Sequence, residues 1–187
     1  LDIIGAPIDF LGVNHYHDDG VSGHPSTAPD EREFKPTDRP TSSSLVGSEY
    51  VTFPLRGYPR TAMGWEVHPE GLHTLLVRLG HEYPTLPPLY VTENGAAYED
   101  VVSPDGAVHD TERESYVVQH IGAVGDAIAD GADVRGYFVW SLLDNFEWAW
   151  GYGKRFGVVR VDYDTQERII KDSGLHYAQI IAQAKAQ

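Results

Sequence analysis

Three short runs of strand-forming residues, each ending in side chains capable of chemistry, alternate with helical segments, and this order limits the folds open to the chain. Ile8 to Val13 ends at Asn14-His15-Tyr16, Pro88 to Thr92 at Glu93-Asn94-Gly95, and Val134 to Trp140 runs into a polar, aromatic loop. Pro69 suits a first helical turn, and Leu72, Leu75, Leu76 and Leu79 follow at i, i+3, i+4 and i+7, predicting an amphipathic helix that stops near Gly80. Asp110 is the expected cap of a second helix, in which Tyr116, Val117, Ile121, Val124 and Ile128 keep helical spacing up to Gly131. Phe156 to Tyr163 alternates loosely like a further strand. Ser173 opens a closing helix with Leu175, Ala178, Ile181 and Ala182. The segment 22–48, rich in Pro, Ser and Thr, reads as a long loop.

Strand and helix in alternation point to βα units with parallel strands. A nucleotide-binding doubly wound sheet should carry a Gly-rich turn between strand and helix. Gly151-Tyr152-Gly153-Lys154-Arg155-Phe156-Gly157 has neither the spacing nor the neighbours for one. Long loops that open with reactive side chains at every strand end instead match the catalytic face of a (β/α)8 barrel. A whole barrel takes about 250 residues, whereas this chain has 187.

Composition narrows the chemistry. With 28 acidic against 14 basic side chains the formal charge is −14, which disfavours nucleic acid and anionic lipid surfaces as partners. The absence of Cys removes disulfides, thiolate metal sites and cysteine nucleophiles. No stretch reaches the eighteen or so apolar residues of a membrane span. The chain starts at Leu1 and its one Met is Met63; a removed leader would leave no trace, and a cytoplasmic location is the expectation.

Glu93, at a strand end, is either a reactive carboxylate on a barrel rim or a surface group beside an Asn-Gly turn. Between Tyr137 and Phe156 lie eight aromatics in twenty residues, where the chain's 11% average would give about two. Phe146, Trp148 and Trp150 fall among Asp144, Asn145, Glu147 and two glycines, a loop composition. Rings interleaved with carboxylates suit a sugar: its C–H faces lie on aromatic planes, and its hydroxyls donate to carboxylates such as Glu147 and Asp144. The alternative is an aromatic corner in which Asp144 or Glu147 pairs with Lys154 or Arg155. His15 and His17, with Asp18 or Asp19, are the one candidate metal cluster. His68, His73, His81, His120 and His176 fall at or in the predicted helices and read as surface groups.

Taken in order, Asp9-Phe10-Leu11-Gly12-Val13-Asn14-His15-Tyr16, Gly64-Trp65-Glu66-Val67-His68-Pro69-Glu70-Gly71-Leu72, Tyr90-Val91-Thr92-Glu93-Asn94-Gly95, Trp140-Ser141-Leu142-Leu143-Asp144-Asn145-Phe146-Glu147-Trp148 and Gly151-Tyr152-Gly153-Lys154-Arg155-Phe156-Gly157 closely resemble the β-glucosidases of glycoside hydrolase family 1. The resemblance implies that Glu93 attacks the anomeric carbon and that Tyr16 hydrogen-bonds it. It further implies that Trp140, Glu147 and Trp148 line the sugar subsite, with Asn14 and Phe156 near the same sugar and Trp65 on the aglycone side. Retention requires a second carboxyl group about 5–5.5 Å from the nucleophile. In that family it lies in an Asn-Glu-Pro motif, which this chain lacks.

The fold expected is thus a partial (β/α)8 TIM barrel, strands about six to eight with their helices, residues 1–187 forming the C-terminal part of a single domain. A complementary N-terminal segment carrying Asn-Glu-Pro is the expected partner. The substrate is a β-glucoside or cello-oligosaccharide, and no metal or cofactor is implied. A non-catalytic sugar-binding module and a metal-dependent barrel hydrolase are the alternatives.

Overall fold

The computed structural model describes residues 3, 5–23 and 53–186. The long loop predicted over 22–48 therefore lies, apart from its first two residues, outside the described residues.

Strands β1 (Leu11–Asn14), β2 (Leu89–Asn94) and β3 (Val134–Val139) form a parallel sheet in the order β1-β2-β3. Helices α1 (Pro69–Glu82) and α2 (Thr111–Ala129) supply the crossovers that parallel pairing requires. Because side chains alternate along a strand, Val13, Leu89, Val91 and Val134 share one face, and they pack against Leu72 and Leu76 of α1 and Val124 and Ala127 of α2. Each such buried aliphatic side chain contributes about 1.5–3 kcal/mol relative to exposure. The leucine spacing of α1 therefore faces the sheet as the pattern predicts.

Several boundaries differ from the sequence reading. The first strand begins at Leu11, whose N–H donates to the Pro88 carbonyl, and leaves Ile8 and Phe10 exposed. Helix α1 passes Gly80 and ends at Glu82, carried over the glycine by an Arg78–Glu82 pair at i, i+4. Asp110 precedes α2 as expected, but its side chain makes no cap there. It accepts instead from the backbone N–H and hydroxyl of Ser173. His120 is no surface group: it lies fully buried on α2, stacked on Tyr116 at 3.8 Å between ring centroids.

Of the strand predicted over Phe156–Tyr163, only β4 (Val159–Val161) forms, paired antiparallel with β5 (Arg168–Ile170). Asp162 folds the hairpin by accepting from the N–H groups of Asp164 and Thr165. The closing helix α3 (Asp172–Ala184) packs on α2 through Tyr177, while Leu175 and Ile181 stand exposed.

Candidate active site

Beyond Val91 the register of β2 slips by one residue against both neighbours, and against β3 an opposite slip precedes it between Leu89 and Tyr90. Val91 pairs with Val13 and Tyr137, but Glu93 pairs with Asn14, and Asn94 with Val139. The extra residue is a β-bulge, and a one-residue slip reverses which face each following side chain takes. Asn94 consequently turns into the molecule, where it is fully buried, and Glu93 comes to the rim. Asn94-Gly95 makes no hairpin turn. Glycine is required at 95 because a Cβ there would lie 1.8 Å from the Trp140 carbonyl oxygen. Glu93 is thus a positioned carboxylate at a strand end, and the reading as a surface group beside a turn falls.

Tyr16 donates its hydroxyl proton to Glu93 Oε2 at 2.6 Å. Burial first, and then this hydrogen bond and the charge of Glu93, raise the Tyr16 phenol well above its usual range. Beneath the pair lies a set of polar groups that sequence spacing does not reveal. Asn94 Nδ2 donates to the His15 carbonyl and to the Tyr116 hydroxyl, Tyr137 donates to Asn94 Oδ1, and Tyr116 donates to the Tyr16 carbonyl. Asn14 stands at the adjoining strand end, where its Oδ1 accepts from the Thr92 hydroxyl at 2.6 Å.

Rings close the site on one side. Tyr16 meets Trp65 at 5.7 Å and Phe156 at 6.0 Å between centroids, and Trp65 meets Phe156 at 6.2 Å. Phe156 is buried with Met63 and Ala97, and Trp140 and Trp150 pack on the same cluster. The loop carrying Trp65 is held by Glu66, whose carboxylate takes the backbone N–H groups of Arg56, Gly57 and Tyr58 and the Arg56 guanidinium. Glu66 and Arg56 were not singled out from the sequence.

Glu147 precedes a single 3-10 turn (Trp148–Trp150). It is hydrogen-bonded to the Trp140 side chain, and burial followed by the charge of Glu93 raises its carboxyl. Glu147 thus feels the charge of Glu93. Trp148 is 83% exposed at the tip of this loop, with a positive φ of 42°, and stands apart from the ring cluster. Asp144 is not available to a ligand. Its fully buried carboxylate takes Arg155, Lys171 and the N–H groups of Gly157 and Val161, as the pairing alternative foresaw with Arg155.

The proposed histidine metal cluster does not assemble. His17 stacks on Trp65 at 4.8 Å, Asp18 is taken by Arg56 and His68, and among the described residues no three His, Asp or Glu side chains converge on a metal-sized point.

Parallel strands that present carboxylates and rings at their carboxyl ends define the working face of an α/β enzyme. The sequence matches glycosyl hydrolase family 1 over residues 1–186, and the chain belongs to that family. It is 50% identical over 174 residues to β-glucosidase A of Thermotoga maritima, covering 93% of this chain and 34% of that protein. A bifunctional β-D-glucosidase/β-D-fucosidase of Bifidobacterium breve is 46% identical over 191 residues, covering all of this chain and 40% of that protein. Among solved structures, the psychrophilic β-glucosidase BglU of Micrococcus antarcticus superposes with a TM-score of 0.92 at 66% identity, over 97% of this chain and 39% of that one. The chain spans little more than a third of the length of the proteins it matches.

Proposed function

We propose that this chain supplies the last three strands of a (β/α)8 barrel and the nucleophile of a retaining β-glucosidase, the acid/base coming from a complementary segment that carries Asn-Glu-Pro. The observation that carries the reading is the 2.6 Å hydrogen bond from Tyr16 to Glu93 at the carboxyl end of the central strand. Tyr16 engages Oε2, so Oε1 is the oxygen presented to a substrate. In the first step Oε1 bonds to the anomeric carbon, and the glycosidic bond breaks as the leaving oxygen takes a proton from the acid on the complementary segment. Water then attacks the anomeric carbon, gives its proton to the same group, and releases Glu93.

Glu147 and Trp140 form the sugar-facing pair in this reading. A carboxylate accepts strongly from hydroxyl groups, and the partly exposed indole offers an apolar plane beside it. In this reading Asn14 and Phe156 lie near the same sugar and Trp65 towards the leaving group, while Trp148, exposed at the loop tip, is assigned to the sugar subsite on the family resemblance alone. The names β-glucosidase A and β-D-glucosidase/β-D-fucosidase support a terminal β-D-glucoside as the substrate class, to which cellobiose and aryl glucosides belong.

The test is reconstitution of the chain with a family segment bearing Asn-Glu-Pro and assay on an aryl β-glucoside. Wild type should turn over, and Glu93→Gln should lose turnover by orders of magnitude with its fold intact, because an amide cannot form the ester. Wild-type rates in Glu93→Gln would overturn the assignment, and glucoside binding without any hydrolysis would identify a binding module instead.

A further inference from the structure

We propose that Arg113 is a positioning residue that fixes the segment following Glu93 against the loop carrying Glu147, an inference that rests on the reading above. Arg113 lies on the first turn of α2 and is 0% exposed. It touches neither carboxylate of the rim. All five of its N–H donors are nonetheless used. Nε donates to the Ala96 carbonyl at 3.1 Å, three residues beyond Glu93. One terminal nitrogen donates to the Arg155 carbonyl at 2.8 Å, at the closing end of the Glu147 loop, and to Asp100 at 3.1 Å. The other donates to Asp100 at 2.9 Å and to Asp110. One rigid planar group therefore ties two catalytic-face loops to the same helix end.

The Glu147 loop is built to transmit that tie. It leaves the fold at Asp144 and returns at Gly157, whose N–H donates to Asp144 at 3.0 Å. Residue 157 must be glycine for this neck to close, since a Cβ would lie 2.2 Å from the Asp144 nitrogen. Arg155 and Lys171 both grip Asp144, and Lys171 also reaches Asp100, which Arg113 holds. Three cations (Arg113, Arg155, Lys171) thus face three carboxylates (Asp100, Asp110, Asp144). Apolar side chains of similar volume could replace a buried ionic cluster with little or no loss of stability. What such replacements could not supply is a pair of directional bonds to carbonyls on two different loops. Lysine at 113 would keep the charge but lose the planar fork.

The experiment is a double-mutant cycle on kcat/KM for an aryl β-glucoside in the reconstituted protein, using Arg113→Lys, Glu147→Gln and the double variant. If Arg113 acts through the placement of Glu147, Arg113→Lys should cost about tenfold in an otherwise wild-type protein, equivalent to one displaced hydrogen bond. In the Glu147→Gln background the cost should shrink to less than about threefold, because neighbours that act together are not additive. Equal losses in both backgrounds would show a purely structural role and overturn the proposal while leaving the β-glucosidase reading intact. A wild-type protein that does not hydrolyse the glucoside overturns both. Should Arg113→Lys fail to fold, the pair Arg113→Gln with Asp110→Asn, which removes one charge of each sign, carries the same cycle.

Discussion

A donor serves a carboxylate only while it keeps its proton. Burial and the bond to Glu93 hold the Tyr16 hydroxyl protonated where a free tyrosine would ionise. A hydrogen bond to a charged group contributes about 1.5–3 kcal/mol, so Tyr16→Phe should lower kcat/KM on an aryl β-glucoside roughly ten- to hundredfold in the reconstituted protein. An unchanged value would show that the bond does not support turnover. At this scale the sequence was readable where motif and position coincide, as for Glu93 at a strand end and the hydrogen bond that Tyr16 gives it. It was unreadable where a partner lies far along the chain. Asp144 looked like a sugar ligand among its aromatic neighbours, yet Lys171, 27 residues on, takes it into the interior. Nothing in Tyr90-Val91-Thr92-Glu93-Asn94 announces the bulge that decides which of Glu93 and Asn94 is buried.

Helix α2 shows how an element can be read correctly on one face and wrongly on another. Its apolar spacing marked Tyr116, Val117, Ile121, Val124 and Ile128, of which Tyr116, Val117 and Val124 are buried, Ile121 is half-buried and Ile128 is exposed. His120, one turn beyond Tyr116, looked like a solvent group only because histidine usually is. Its Nδ1 donates to the Tyr116 carbonyl, so the neutral ring is the form that fits, and Nε2 has no protein partner. Desolvation, with His15 and His68 nearby and Glu70 opposing them, lowers its pKa from 6.5 to about 4. The sign follows directly. Above pH 6.5 the ring is neutral in both folded and unfolded chains, and the native fold keeps its full stability; as pH falls from 6.5 towards 4, the unfolded chain gains a proton that the native helix refuses. The expected loss is on the order of 3 kcal/mol. His120→Phe should therefore shrink the drop in Tm between pH 7 and pH 4.5, and an equal drop in both proteins would assign acid sensitivity elsewhere. The hairpin β4-β5 was half missed for a related reason: Arg168-Ile169-Ile170 is too short and too charged at its start to register as a strand until Asp162 turns the chain back upon itself.

At the scale of the whole molecule, α1 and α2 cover one face of the sheet, and among the described residues no helix covers the other. α1 and α2 lie on the side of Val13 and Val91, whereas Phe10 and Phe138, 53% and 56% exposed, stand on the other with Tyr90 against Phe10. The outer edges of β1 and β3 are unpaired among the described residues. Exposed apolar area beside open strand edges favours association. The isolated chain should therefore be inactive and bind a hydrophobic dye such as ANS strongly, and adding the complementary segment should quench that signal as activity appears. A dye-silent, monodisperse, fully active chain at 20.7 kDa would refute this. The alternation that separates the two faces also governs the chemistry. Because β2 carries one residue more than either neighbour beyond Val91, the identity of the group on the rim is stored as a count. Were the same sequence paired in strict alternation from Val91 onward, Glu93 would take the face of Val91 and Asn94 would take the rim, setting an amide where the acid now stands. A chain can lose its reaction without losing a single one of its chemical groups, through a change from odd to even.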